Sequence, residues 1–260
     1  MAESAGLIPA RSDPRTLLLV GLGLTAIAVT LALPAIHQWG SYHNFADTRG
    51  FRYLPNALNV LSNIPFLIVG AFGLAFVSRP SPSFIASWDR GPAAVLMFAL
   101  FLTAFGSAYY HWNPNDRSLF WDRLPLGLLF SALLGITIIE RVSLRAGALL
   151  FFPLVAAGAG SVIYWLVRDD LRFYFLIQAL AVLAIPLMVA LFPPRYTGGR
   201  ELLLAVALYG LAKVFEVLDE PIYGLGHLVS GHTLKHIFAG LAGWAYLRML
   251  RHRRPMPSPP

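Results

Sequence analysis

The sequence contains no cysteine, only two lysines and few charged residues of either sign. The lack of cysteine excludes disulfides and thiolate metal ligands, so any metal site must use His, Asp, Glu or backbone oxygen. Charged residues make up 13% of the 260 residues and hydrophobic residues 57%, a balance unlike that of a water-soluble protein. This composition indicates a chain whose main solvent is lipid.

Several apolar stretches reach the roughly 17–25 residues that a helix needs to cross a bilayer. Pro, Gly and charged residues separate them, which predicts an all-α polytopic membrane bundle of about eight transmembrane helices without a soluble domain. We expect these helices at residues 16–36, 56–78, 91–112, 122–140, 147–167, 172–192, 201–218 and 231–249. The first is long for a signal peptide and lacks a small-residue cleavage site, so we interpret it as a retained anchor.

The net charge of +7 does not predict a nucleic-acid partner, because the basic residues lie in short clusters between apolar runs. One side of the predicted membrane topology holds Arg11, Arg15, Arg79, Arg90, Arg141, Arg145, Arg195, Arg200, Arg248, Arg251, Arg253 and Arg254. The other side holds Arg49, Arg52, Arg117, Arg123, Arg168 and Arg172. The richer side is expected to be cytoplasmic, with residues 1–15 and a solvated basic tail at 250–260 inside.

The run FGSAYYHWNPNDRSLFWDRLP places three chemically capable residues near one membrane surface. Ser107 and His111 lie four residues apart on one face of the third helix, near its outer end. Pro114 then disfavours helix, and we expect Asp122 to begin the fourth helix at a similar depth. Ionisable residues inside a membrane are functional candidates, although a single intramembrane histidine can also be structural.

The segment SGHTLKHIFAGL carries His232 and His236 one turn apart on the last helix, a spacing that lets two imidazoles hold one metal ion. The predicted topology brings both histidines to the depth of His111. Lys213, Glu216 and Asp219 lie toward the outer end of the seventh helix. They can act as structural ion pairs or as functional groups, and we expect Lys235 to pair with Glu216 or Asp219.

Two further sets of residues are expected to be structural. Asn59, Ser62 and Asn63 of the second helix are too polar for lipid and should bond to neighbouring helices. The aromatic residues near the outer ends of the third and fourth helices fit an interfacial belt better than a stacking surface for a substrate. These residues are Tyr109, Tyr110, Trp112 and Trp121.

At these positions the sequence resembles the alkaline ceramidase family, part of a superfamily of seven-helix membrane hydrolases that also includes the progestin and adipoQ receptors. The family pattern is a Ser and a His four residues apart, an Asp eleven residues later, and two His four residues apart in the last helix. Ser107, His111, Asp122, His232 and His236 match it. Asn56 stands where the family has Glu, and FWDRLPL replaces an acidic DExPM-like stretch.

The resemblance implies a seven-helix hydrolase core over residues 40–249, preceded by the extra helix 16–36. It implies that His111, His232 and His236 hold a zinc ion, that Asp122 acts on the zinc-bound water as acid and base, and that Ser107 assists at the substrate carbonyl. The expected reaction is hydrolysis of an amide in a ceramide-like or other N-acyl lipid. The departures from the family pattern leave a calcium site and ceramide itself open.

Two other functions remain as alternatives. A receptor-like or binding protein would use the zinc only to tie helices together, with a fourth protein ligand closing the site. A proton-coupled transporter would use Lys213, Glu216 and Asp219 as a relay. The preference for Arg over Lys is typical of GC-rich bacteria, so we expect a bacterial inner (plasma) membrane with the site facing the extracytoplasmic side. The oligomeric state does not follow from the sequence.

Overall fold

The computed structural model describes residues 13–256, and the regular structure in this range is helical. The α-helices are α1 Pro14–Ala32, α2 Ala57–Leu61, α3 Ile64–Val77, α4 Arg90–Trp112, α5 Asp116–Thr137, α6 Leu144–Arg168, α7 Arg172–Leu191, α8 Gly199–Val217, α9 Asp219–Gly224 and α10 Gly231–His252. Short 3-10 turns lie at Gly40–His43 and Ser87–Asp89, and a π-helical turn lies at Ile138–Val142. Most of the predicted segment 1–15 and the last residues of the predicted tail lie outside the described residues.

Six of the helical segments are long and apolar enough to cross a membrane, counting α2 and α3 as one span. They confirm the helical membrane bundle. Helices α8 and α10 have 19 and 22 residues and are also long enough to cross, but they are not among the six because they are more polar. The physical reason is their polar content, since α8 carries Lys213 and Glu216 and α10 carries Lys235 and two histidines.

The second predicted helix is broken in the structure at Ser62 and Asn63, between α2 and α3. Pro65 explains the break, because a proline lacks the backbone N–H that would donate one turn back and its ring crowds the carbonyl there. The break turns the Ser62 side chain toward α10, where its hydroxyl lies 2.7 Å from His236 Nδ1. A continuous helix was therefore the wrong prediction at this point.

Helix α5 begins at Asp116, six residues before the predicted start at Asp122. The cause is a capping box at Asn115 and Ser118. The Asn115 side chain accepts from the Ser118 amide at 3.1 Å, and the Ser118 hydroxyl accepts from the Asn115 amide at 3.1 Å. Asp122 consequently lies in the second turn of α5, where it is buried.

Helix α1 lies at the edge of the bundle and packs against α7. Many of its apolar side chains are about half exposed, as expected for a helix surrounded by lipid. The segment after α1 is fixed by the turn before α7, where the Leu171 amide donates to the Ile36 carbonyl at 2.8 Å. Arg172 holds the nearby Asp170 at 2.8 Å and keeps the pKa of that carboxyl below its usual range.

The centre of the bundle is formed by α4 and α5, which pack against α3 and α6 respectively, with α10 lying between α3 and α8. Gly106 of α4 lets the two central helices approach closely, because a Cβ there would collide with the Trp121 carbonyl of α5. This contact sets the relative position of Ser107 on α4 and Asp122 on α5.

Arg253 closes the end of the bundle that is far from Asp122, although it belongs to a tail that was expected to be solvated. Arg253 is 4% exposed, and its guanidinium donates to Glu140 at 2.5 Å and to the Ser83 carbonyl at 2.8 Å. Its charge also lies 3.9 Å from the centroid of the Tyr196 ring. The prediction of a solvated tail from residue 250 is therefore wrong for Arg253, since the chain to this point is part of the packed fold.

Candidate metal centre

The three histidines expected to share a metal ion lie together in the structure. His111 is in the last turn of α4, and its carbonyl accepts from the Asn56 side chain at 2.8 Å. His232 and His236 are in the first two turns of α10, which Ser230 caps by accepting from the Thr233 amide at 3.2 Å. The predicted convergence of the two segments is confirmed.

The geometry of this cluster suits a tetrahedral metal ion. His111 Nε2 lies 3.2 Å from His236 Nε2 and 3.3 Å from His232 Nε2. Nitrogens bound at about 2.0–2.1 Å to a tetrahedral ion are separated by about 3.3 Å, so these distances match such an ion. All three histidines are buried. They can hold a metal ion, and within residues 13–256 no further His, Asp or Glu belongs to the group.

Ser62 prepares His236 for this role. The Ser62 hydroxyl donates to the Asn59 carbonyl at 3.0 Å, so its proton is already used. It must then accept from His236 Nδ1 at 2.7 Å, which places the imidazole proton on Nδ1. The Nε2 lone pair is thereby left free and points at the other two histidines. A second hydrogen bond of this kind is typical of histidines that bind metals.

Polar groups around the cluster fix the beginning of α10. Asp219 accepts from the His232 amide at 2.7 Å and from the Ala46 amide at 3.0 Å. Asn59 accepts from the Thr233 hydroxyl at 3.0 Å and donates to the Asp47 carbonyl at 3.2 Å. Asn59 and Ser62 thus bond to neighbouring segments as predicted. Asn63 instead donates to the carbonyls of Asn59 and Val60 in the preceding turn.

Phe45 and Asp47 belong to this surrounding structure and were missed in the sequence. The Phe45 ring centroid lies 4.8 Å from that of His111 and 4.9 Å from that of His232, so the ring covers two of the three imidazoles. Arg49 pairs with Asp47 at 2.8 Å and keeps the pKa of that carboxyl below its usual value. No local pattern marks this loop, because its role depends on contacts with α2 and α10.

Ser107 and Asp122 lie next to each other across the contact of α4 and α5, and both are buried. Both line a cavity of about 470 Å³ that is also lined by His236. Ser107, Asp122 and one of the three histidines, His236, therefore face one cavity.

This cavity adjoins a smaller apolar chamber of about 90 Å³ between the helices. Phe66, Leu126, Tyr209 and Ala239 line both spaces. The larger cavity has polar groups in its wall, whereas the lining of the smaller one is almost wholly aliphatic and aromatic. The combined space has its polar part beside His236 and its apolar part deeper in the bundle.

The charged residues of α8 form ion pairs. Glu216 bonds to both Lys213 and Lys235, the latter at 3.1 Å, as expected for Lys235. Tyr42 also donates to Glu216 at 3.2 Å, and burial raises the pKa of Tyr42 well above its usual value, so it remains a neutral donor. Asp219 takes no part in this group, because both its oxygens accept from backbone amides.

Three of the four aromatic residues predicted for an interfacial belt are exposed, and one is buried. Tyr109, Trp112 and Trp121 are about half exposed on the outer surface. Tyr110 is 1% exposed and lies inside the bundle, where its hydroxyl contacts His43 Nδ1 at 3.1 Å and the Tyr42 carbonyl at 3.3 Å. The prediction was wrong for Tyr110 because adjacent residues of a helix point to different sides.

The fold and this cluster together define a class: a helical membrane protein with a buried group of three histidines that can hold a metal ion. Comparison with known proteins adds no assignment, since no protein-family model and no curated protein matches the chain.

Proposed function

We propose that the protein is a zinc-dependent intramembrane hydrolase that cleaves the amide bond of an N-acyl lipid. The observation that carries the proposal is the convergence of three buried imidazole nitrogens, 3.2 and 3.3 Å apart, beside a cavity that also contains Asp122 and Ser107. Zinc is the metal that best suits three neutral imidazoles in a tetrahedral arrangement.

The donor set favours catalysis over a structural metal. Structural zinc sites are usually closed by four protein ligands, whereas catalytic sites use three and leave a position for water. Over residues 13–256, His111, His232 and His236 stand without a fourth His, Asp or Glu. Zinc bound there would lower the pKa of a water molecule and polarise a carbonyl oxygen.

The neighbouring side chains have two roles in this proposal. Asp122 would take a proton from the attacking water and deliver it to the leaving amine, and its position in the cavity wall with His236 supports this role. Ser107 would donate a hydrogen bond to the oxygen on which negative charge develops, and its position in the same cavity wall supports this role. His111, His232 and His236 stay neutral, because their nitrogens are buried and directed at one another.

The shape of the cavity supports a lipid substrate. A polar space lined by Asp122, Ser107 and His236 adjoins an apolar chamber, so one molecule can place its amide beside the histidines and its acyl chain between the helices. A water-soluble amide would leave the apolar chamber unfilled. An extracytoplasmic position of the site in a bacterial inner membrane forms part of the proposal, on the basis of the Arg asymmetry.

The test is Asp122→Asn measured on a panel of N-acyl sphingoid and N-acyl amine lipids. The variant keeps the shape of the side chain but loses its basicity, so it should retain zinc while losing on the order of 10²–10⁴ in hydrolytic rate. Asp116→Asn is the matched control, because Asp116 is exposed on the same helix. Hydrolysis by Asp122→Asn at the wild-type rate would remove the mechanism, and no hydrolysis of any lipid amide by the wild type would remove the function.

A further inference from the structure

Arg123 is a buried cation that has no role in the proposed mechanism. It lies on α5 next to Asp122, is 3% exposed and lines the same cavity. Throughout residues 13–256 no carboxylate lies within ion-pair distance of it, and its Nη1 is buried without a hydrogen-bond partner. Other arginines of the fold are paired: Arg172 with Asp170 at 2.8 Å, and Arg253 with Glu140 at 2.5 Å.

Aromatic rings surround the guanidinium but do not replace an anion. Its carbon lies 4.2 Å from the ring centroid of Trp165, 5.2 Å from that of Tyr42 and 5.4 Å from that of Tyr174. Ring faces attract a cation, but they offset only part of the cost of removing it from water. The rings also provide no hydrogen-bond acceptor for the five guanidinium N–H groups, which lie in the plane of the guanidinium. The site therefore lacks the acceptor that a buried arginine normally has.

The ionisable side chains of the cavity wall carry a net positive charge. Its cationic side chains are Arg123, Lys213 and Lys235, and its carboxylates are Asp122 and Glu216. Glu216 pairs with both lysines, so Arg123 is the cation left without an ion pair. A metal ion held by neutral histidines would add further positive charge to this space. Such a wall favours an anionic ligand over a neutral one.

We propose that Arg123 binds an anionic group, a carboxylate or a phosphate, on the amine side of the substrate, so that the protein acts on acidic N-acyl lipids. The planar fork of arginine suits two oxygens of either group. The amine side is indicated because Asp122, the group that would protonate the leaving amine, lines the same cavity as Arg123. The identity of the ligand as a substrate rests on the proposed function, whereas the binding of an acidic lipid does not.

The first experiment measures binding with the purified full-length Asp122→Asn protein in a neutral detergent. The probes are N-dodecanoylglycine, N-dodecanoylethanolamine and dodecyl phosphate, which share chain length and differ in charge and head group. N-dodecanoylglycine should bind roughly 10- to 100-fold more tightly than the neutral amide, as expected for a charge-assisted hydrogen bond. The dodecyl phosphate value distinguishes a carboxylate site from one that takes either anion.

Variants at Arg123 then test whether this residue causes the preference for the acidic amide. Adding Arg123→Gln should remove the difference between the acidic and the neutral amide, and Arg123→Lys should keep part of it. Arg117→Gln is the control, because Arg117 is an exposed arginine six residues earlier on the same helix and should leave the preference intact. Equal binding of both amides while Arg123 is present overturns the proposal, even if the Arg123→Gln protein does not fold. A preference that survives in Arg123→Gln also overturns it.

The second experiment separates this inference from the proposed function. In the wild-type protein, kcat/KM for N-dodecanoylglycine should exceed that for N-dodecanoylethanolamine by a similar factor, and Arg123→Gln should remove the excess. Preferential binding of the acidic lipid without hydrolysis of any lipid amide would support the anion site and contradict the hydrolase. Hydrolysis of both amides with equal kcat/KM would support the hydrolase and contradict the anion site.

Discussion

Replacing Ser62 by Ala tests how the polypeptide prepares the metal centre. The Ser62 hydroxyl is the acceptor for His236 Nδ1 at 2.7 Å, and it lies in the break between α2 and α3. Ser62→Ala leaves a buried N–H without its acceptor, at a cost of about 1–3 kcal/mol. It also allows the proton to move to Nε2, the nitrogen that would bind the metal. At about 1.4 kcal/mol for each factor of ten, zinc affinity should fall roughly 10- to 100-fold.

The assay is competition for zinc between the purified protein and a chromophoric chelator of known affinity. Ser161→Ala is the matched control, because the Ser161 hydroxyl is also buried but bonds only to the Gly158 carbonyl of its own helix at 2.7 Å. The control should bind zinc like the wild type. If Ser62→Ala binds zinc as tightly as the control, the Ser62 bond does not orient the ligand, and the assignment of the His236 proton to Nδ1 is wrong.

Two further predictions concern the start of α10 and the side of the membrane. Asp219→Asn should lower the free energy of unfolding by about 1–3 kcal/mol, measured by thermal or denaturant unfolding, because a charged acceptor for the His232 amide is lost. A free energy of unfolding equal to that of the wild type would contradict this role of Asp219. In intact cells, Asn113→Cys should react with an impermeant thiol reagent added outside, since Asn113 is exposed and follows α4. Labelling only in inverted membrane vesicles would reverse the orientation.

The fold class could be predicted because its causes are local. A hydrophobic run that is long enough to cross lipid must satisfy its own backbone hydrogen bonds and therefore forms a helix. The four-residue spacing of His232 and His236 is equally local, since a helix places such residues on one face. Their meeting with His111 followed from the number of membrane crossings between the two segments.

The errors in helix boundaries occurred where a proline or a helix-capping sequence lies next to or within an apolar run. Pro65 predicts the break before α3, but the surrounding apolar residues hide it. Asn115 and Ser118 form a capping box ahead of the apolar part of α5, so the helix begins before hydropathy alone would place it. Signals of this kind are visible in the sequence once caps and prolines are considered together with hydropathy.

Other parts of the site depend on contacts between distant segments. The bond of Ser62 to His236 joins residues 174 positions apart, and no spacing rule indicates it. Arg123 did carry a signal, because an arginine within a membrane helix is costly and requires an explanation. It was counted with the basic residues of the outer membrane surface, because the fourth helix was predicted to begin at Asp122, and the charge was then used only to infer topology.

The measurement that tests the central claim most directly is the metal content of the purified protein by elemental analysis. The wild type should contain one zinc ion per chain, and His111→Ala, His232→Ala and His236→Ala should each lose it. His37→Ala should keep it, since His37 is an exposed residue that pairs with Asp169. A wild-type protein that remains free of metal after exposure to zinc, or three histidine variants that all keep their zinc, would contradict the assignment of the metal centre.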